Sequence, residues 1–189
     1  MATKFHTYST QEATNIIARR AAIRVTPTIT GVQYANNDVL FDTTEIPNAV
    51  AYNGGASELK NITINSKSAS LFDCTLWFFQ TSQSAGTVNG AWNMSDSDFA
   101  SAKNLGCIYL DGDNLQQNPG GGRVYTVMQG YKAFTSSTKT NPQLPLILQA
   151  EDDSTSIYMA AKIQSEDDPG NTTPSFSVGD IEVVLGINY

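Results

Sequence analysis

The run from Phe176 to Ile187 sets Ile181, Val183, Leu185 and Ile187 against Asp180, Glu182 and Gly186. A period of two belongs to an extended strand with one face in a core and the other in water. The same signature recurs along the chain. Ile23, Val25 and Ile29 alternate with Arg24, Thr26, Thr28 and Thr30, and Ile62 and Ile64 alternate with Thr63 and Asn65. Further short apolar runs lie at Val39–Phe41, Cys107–Leu110, Val124–Phe134, Leu144–Gln149 and Ile157–Ile163. Turn residues separate them, among them Asn36-Asn-Asp38 and Asn53-Gly-Gly55. Pro27 has no amide hydrogen to donate, so its strand belongs at a sheet edge or a bulge. Leu71–Thr81 is apolar on both faces, with Trp77, Phe78 and Phe79 in succession, and is expected to lie centrally, covered on both sides.

Eight to ten short strands without an internal repeat predict an all-β fold, an antiparallel β-sandwich. Trp77 lies only three residues after Cys74, too close for the Cys–Trp–Cys pattern of an immunoglobulin domain, which favours a jelly-roll-like arrangement. Two helical signals interrupt the strands. Ser9-Thr-Gln-Glu12 makes a capping box followed by Ala13, Ile16, Ile17 and Arg20 at helical spacing. Ser95-Asp-Ser-Asp98 begins a short second helix over 95–103, with Ser95 as its N-cap and Gly106 as its stop. The expected organisation is an N-terminal arm or helix over 1–22 and one sandwich domain over 23–189.

Composition bears on what such a sandwich meets. Charged residues are 15% of the 189, against about 25% in ordinary domains, while Ser, Thr, Asn and Gln number 62. The net charge of −7 argues against nucleic acid as a partner, and no apolar run is long enough to span a membrane. The charge is unevenly spread. Residues 1–35 carry +3, from Lys4, Arg19, Arg20 and Arg24 against Glu12, and the rest carries −10. A basic leading segment on an acidic body suggests an arm that docks on something acidic; packing on the chain's own body is the alternative. Its candidate partner-binding residues are Lys4, Phe5, Tyr8, Ile16, Ile17, Arg19, Arg20 and Arg24. The first residues hold no apolar signal-peptide core, so synthesis in the cytoplasm is expected, with a surface suited to use outside the cell.

Reaction chemistry is poorly supplied. The one histidine, His6, lies in the leading segment, away from any structured base partner. Cys74 and Cys107 have neither CxxC spacing nor a neighbouring histidine, so they read as free core thiols. Glu151-Asp-Asp153, Glu166-Asp-Asp168 and Asp111-Gly-Asp-Asn114 read as solvated loop charge, with a structural divalent ion as the alternative. Asp111 and Asp152 would serve a glycoside hydrolase only if about 5 to 10 Å apart across a cleft. Asn118-Pro-Gly-Gly-Gly122 lacks the Lys-Ser/Thr of a phosphate loop and reads as a turn. Trp92, Tyr125 and Tyr131 are aromatics that could stack on sugars or pack in the core. The expectation is a protein that is not an enzyme and carries no cofactor.

An ordered series of segments carries a resemblance. It comprises Asp38-Val-Leu-Phe-Asp-Thr-Thr-Glu-Ile-Pro-Asn-Ala49, Gly54-Gly-Ala-Ser-Glu-Leu-Lys-Asn-Ile-Thr-Ile64, Leu76-Trp-Phe-Phe79 and Asn89-Gly-Ala-Trp-Asn-Met-Ser-Asp-Ser-Asp98. Over roughly residues 30–110 the chain resembles the small β-sandwich decoration, or cement, proteins of tailed bacteriophages. The resemblance implies a homotrimer on the outer surface of the virion that binds the major capsid protein and stabilises its lattice. It implies no catalytic residues. A receptor- or glycan-binding module of a tail fibre, or a surface lectin, is the alternative expectation.

Overall fold

The strands pair in the reverse of their chain order, and that pairing defines the architecture. A computed structural model describes residues 19–112, 116–128, 144–164 and 173–189. Along them run β1 (Arg20–Val25), β2 (Val39–Ile46), β3 (Ala56–Ser66), β4 (Cys74–Phe79), α1 (Asp96–Ser101) and β5 (Asn104–Leu110). There follow β6 (Gln116–Gln117), β7 (Arg123–Met128), β8 (Leu146–Gln149), β9 (Ile157–Ile163) and β10 (Ile181–Asn188). β1 pairs with β10, β2 with β9, β3 with both β7 and β8, and β4 with β5, all antiparallel. That is one long double-stranded ribbon. It rolls up so that β10 also pairs with β3, and β9 with β4. The result is a jelly roll: one sheet in the order β1-β10-β3-β7-β6, with β8 also paired to β3, and a second in the order β2-β9-β4-β5.

Alternation decides what fills the space between the sheets. Ile181, Val183, Leu185 and Ile187 are all buried and their neighbours half-exposed, as the spacing predicts. On β4, Cys74, Leu76 and Phe78 enter the main core, where β9 brings Ile157, Met159, Ala161 and Ile163 against them. Phe176 precedes β10 and is buried in edge-to-face contact with Tyr34 and Phe72 at one end of the core.

Several boundaries differ from the sequence reading, each for a physical reason. β1 starts at Arg20, because Arg20, Ala21 and Ala22 pair with Asn188, Ile187 and Gly186. The sandwich therefore begins within the 1–22 arm, and its last three residues belong to the sheet. β1 lies at the edge, as Pro27 demands, and stops at Val25 before reaching it. Ser95 caps α1 as expected, its Oγ accepting from the Asp98 amide at 3.2 Å. The helix does not run on to Gly106. Lys103 takes the left-handed conformation (φ 52°), which turns the chain directly into β5. Gly106 lies inside β5, where an added Cβ would meet Leu146 Cδ1 at 2.7 Å. The predicted helix over 9–22 otherwise falls outside the described residues.

Candidate functional site

The two sheets present unlike outer faces. On the β2-β9-β4-β5 sheet, Trp77, Phe79, Val39, Ala160 and Tyr158 point away from the main core into a second, smaller one. The chain between β4 and β5 roofs them with Ala85, Trp92, Met94, Phe99 and Ala102. Phe99 stands edge-on to Trp77 at 5.3 Å and to Phe79 at 5.7 Å between ring centroids. This is why Leu71–Thr81 is apolar on both faces, and it uses up that side of the molecule.

The other outer face has no such roof among the described residues. Arg20, Ala22 and Arg24 of β1, Glu182, Val184, Gly186 and Asn188 of β10, and Glu58, Lys60, Asn61, Thr63 and Asn65 of β3 lie on it. Much of its charge is already paired. Arg24 bonds Glu182 at 3.0 Å, and Asn65 donates to the same carboxylate at 2.9 Å. Lys60 bonds Glu58 at 2.7 Å and, as the main cause, holds that carboxyl below its ordinary pKa. Thr63 and Thr126 share a hydroxyl hydrogen bond of 2.9 Å across β3 and β7.

A β-bulge shapes the middle of this face. Gly186 pairs with Asn61 and Ile187 with Leu59, which leaves Lys60 as the extra residue on β3. The bulge sends Lys60 and Asn61 outward together while Leu59 and Ile62 both stay buried. Opposite it, a Cβ at Gly186 would lie 2.4 Å from Asn61 Oδ1, so a larger residue would have to displace the Asn61 amide. The low floor of Ala22 and Gly186, rimmed by Arg20, Lys60, Asn61 and Asn188, forms a depression of about 510 Å³. A second depression of about 290 Å³ adjoins it at Asn188 and is lined by Glu58, Ile147 and Tyr189.

Of the expected partner-binding residues, the structure brings Arg20 and Arg24 onto this face and places Arg19 at its corner. Lys4, Phe5, Tyr8, Ile16 and Ile17 lie outside the described residues, as do His6, Tyr131 and Glu166–Asp168. Arg19 and Arg20 are exposed. The side chains of the other six described cations each hold a partner, Lys67 and Arg123 through the main-chain carbonyls of Gly179 and Ala69. Arg19 and Arg20 have no hydrogen-bonded or ion-paired partner for their side chains among the described residues. Arg19 does act at longer range on Tyr189, where its charge opposes the upward pKa shift that burial causes.

The remaining sequence candidates are otherwise engaged. Trp92 packs on Trp77, and Tyr125 packs against the main core, so neither offers a bare ring to a sugar. Asp111 follows Leu110, which pairs with Cys74 and through it with Ile163, whereas Asp152 precedes Ile157. The two carboxylates thus sit at opposite ends of β9, a span of roughly 20 Å, too far for paired acid–base work. Glu151 accepts from Lys103 at 2.6 Å, and among the described residues no group of three His, Cys, Asp or Glu is placed to hold a metal. Asn118 closes the β6–β7 turn, its Oδ1 accepting from the Gly120 and Gly122 amides at 2.9 and 3.1 Å. Asp73, buried beneath β5, accepts from Tyr109 Oη at 3.0 Å and from the Gly112 amide, a structural clamp.

Sequence reasoning missed Lys60, Asn61 and Gly186. The signal was there: Leu59 and Ile62 are both apolar but three apart in a strand of period two, and a lone glycine interrupts β10. Compared with known proteins, the chain matches no family model, no curated protein and no solved structure.

Proposed function

We propose that this chain is a virion structural protein, a decoration or cement protein that docks on the outside of a tailed-phage capsid and reinforces the lattice of its major capsid protein. It is made in the host cytoplasm and works as a homotrimer. The observation that carries the reading is the asymmetry of the jelly roll. One outer face is consumed by its own apolar roof, while the other is a broad polar sheet bordered by Arg19 and Arg20, whose side chains have no hydrogen-bonded or ion-paired partner among the described residues, where the basic leading segment joins. The resemblance over residues 30–110 adds the class of partner. A polar face suits a stable but separately folded partner, whose interface is no more apolar than an ordinary surface. Three-fold closure would let one patch act at every local three-fold of a shell, and many modest contacts sum over the particle. A glycan-binding head has less support, since Trp92 and Tyr125 are packed within the protein.

The test is co-sedimentation of the purified protein with capsids of its own phage assembled without it. Saturable binding at a fixed ratio to capsid subunits, with a higher temperature of shell rupture, is the expected result. No binding at about 10 µM protein would remove the proposal, since multivalent caps of this kind bind well below that concentration.

A further inference from the structure

We infer that the twin depression across β1, β10 and β3 is a groove for an extended, acidic segment of a partner protein. The inference rests on the reading of this face as the partner-facing side, and it names the chemistry of what lies there.

Three observations converge on it. The first is charge. Outside residues 1–35 the chain carries −10, yet the larger depression is rimmed by two cations, Arg20 and Lys60, and by no carboxylate of its own. Lys60 is held by Glu58, whereas among the described residues the side chains of Arg20 and of Arg19 beside it have no hydrogen-bonded or ion-paired partner. A planar guanidinium left free in an acidic protein is complementary to a carboxylate, which it can bind through two parallel N–H donors. The second is an orphan acceptor. Asn188 lines both depressions and its side chain bonds Glu58, but its Oδ1 is buried with no hydrogen-bond donor among the described residues, although buried acceptors are ordinarily satisfied. A donor arriving beside Arg20 would complete it. The amides of an extended chain are free to do so, whereas those within a helix are already bonded to their own carbonyls. The third is shape. Ala22 and Gly186 make the floor low, and the bulge raises Lys60 and Asn61 into a wall. The groove continues past Asn188 to Ile147, which is 55% exposed and ready to receive an apolar side chain. An acidic residue over Arg20, a main-chain N–H near Asn188 and an apolar residue on Ile147 describe one short extended peptide.

Backbone amide NMR of the full chain tests this with defined probes: a capped octapeptide of alternating Glu and Val, its Lys–Val counterpart, and an oligogalacturonate. We expect the Glu–Val peptide at millimolar concentration to shift the amides of Ala22, Asn61, Gly186 and Asn188. Raising salt from about 0.05 to 0.5 M should weaken it severalfold. Arg20→Glu should weaken it about tenfold, and Lys67→Glu, just past the end of β3 and outside both depressions, should not. Arg20 is exposed, so its replacement leaves the fold intact; an unchanged amide spectrum away from β1 checks this. Equal shifts from the Lys–Val peptide, tighter binding of oligogalacturonate, shifts centred elsewhere, or concentration-dependent shifts without any probe would each overturn the inference. The two proposals fail separately. Peptide binding in the groove without capsid binding would retain the groove and remove the decoration role. Capsid binding that is indifferent to Arg20→Glu and to the peptide would do the reverse.

Discussion

At Gly186 the missing Cβ is a requirement of packing, because the Asn61 amide already occupies the space. We expect Gly186→Ala to cost about 2 kcal/mol, the usual penalty for forcing an atom into a filled site. In an Asn61→Ala background the same change should cost less than about 0.5 kcal/mol, because the obstruction is gone and alanine is the better residue in a strand. Urea midpoints of the four proteins measure this coupling; additive effects would show that the bulge, and not the Asn61 side chain, dictates glycine. Tyr109 makes a second prediction at this scale. Burial, chiefly, and the neighbouring Asp73 carboxylate push its hydroxyl above the ordinary tyrosine pKa, so the folded state keeps its proton where the unfolded chain has lost it. The folded state then binds more protons above about pH 10, and stability falls as pH rises through that range. The urea midpoint should drop between pH 9 and 11, and Tyr109→Phe should flatten that drop while lowering stability at neutral pH by about 1 kcal/mol. Such features are hard to read from a single sequence. Gly186 appears as one more polar-side residue in an alternating strand, and only its meeting with Asn61, 125 positions away, gives it a reason.

The roof is a matter of elements. α1 is six residues long, buries no residue fully and could not stand alone; it is held by Phe99 between Trp77 and Phe79 and by the Ser95 cap. Phe99→Ala should cost about 2 kcal/mol, less than a fully buried phenylalanine because the ring is half-exposed. It should also shift tryptophan emission to the red, since Trp77 loses its cover. Ser95→Ala should cost about 1 kcal/mol and leave the emission unchanged. If Phe99→Ala left both stability and emission unaltered, the roof would contribute nothing to the sheet beneath it. At this scale the sequence was most informative. Two-faced apolarity over Leu71–Thr81 implied a covered central strand, and Ser95 with early aspartates marked the helix start. The helix stop was not legible, because Lys103 takes a left-handed conformation that its residue type does not advertise.

For the whole molecule, strand periodicity revealed a sandwich, but its winding emerges only from which strands pair, and no local pattern encodes β10 lying between β1 and β3. That winding decides where the leading segment can be cut. β10 is covered on one side by β3 and on the other by β1 alone, and half of the β1 ladder consists of Arg20, Ala21 and Ala22. A protein starting at Arg19 keeps the whole ladder, as well as the Arg19 carbonyl that accepts from the Tyr189 amide at 3.0 Å. We expect it to unfold cooperatively within about 2 °C of the full chain. A protein starting at Ile23 loses three strand pairs and bares the edge of β10 around Ile187. Its midpoint should fall by about 6 °C, the shift that roughly 2 kcal/mol produces in a domain of this size. Calorimetry on the two truncations separates the alternatives: equal midpoints would mean that β1 contributes no stability, and loss of cooperativity in both would place residues before Arg19 within the folding unit. Capsid binding by the longer truncation then divides the partner-binding residues into two groups. Weakened binding would assign part of the contact to the segment bearing Lys4, Phe5, Tyr8, Ile16 and Ile17. Undiminished binding, lost on Arg20→Glu, would assign it to the open sheet face.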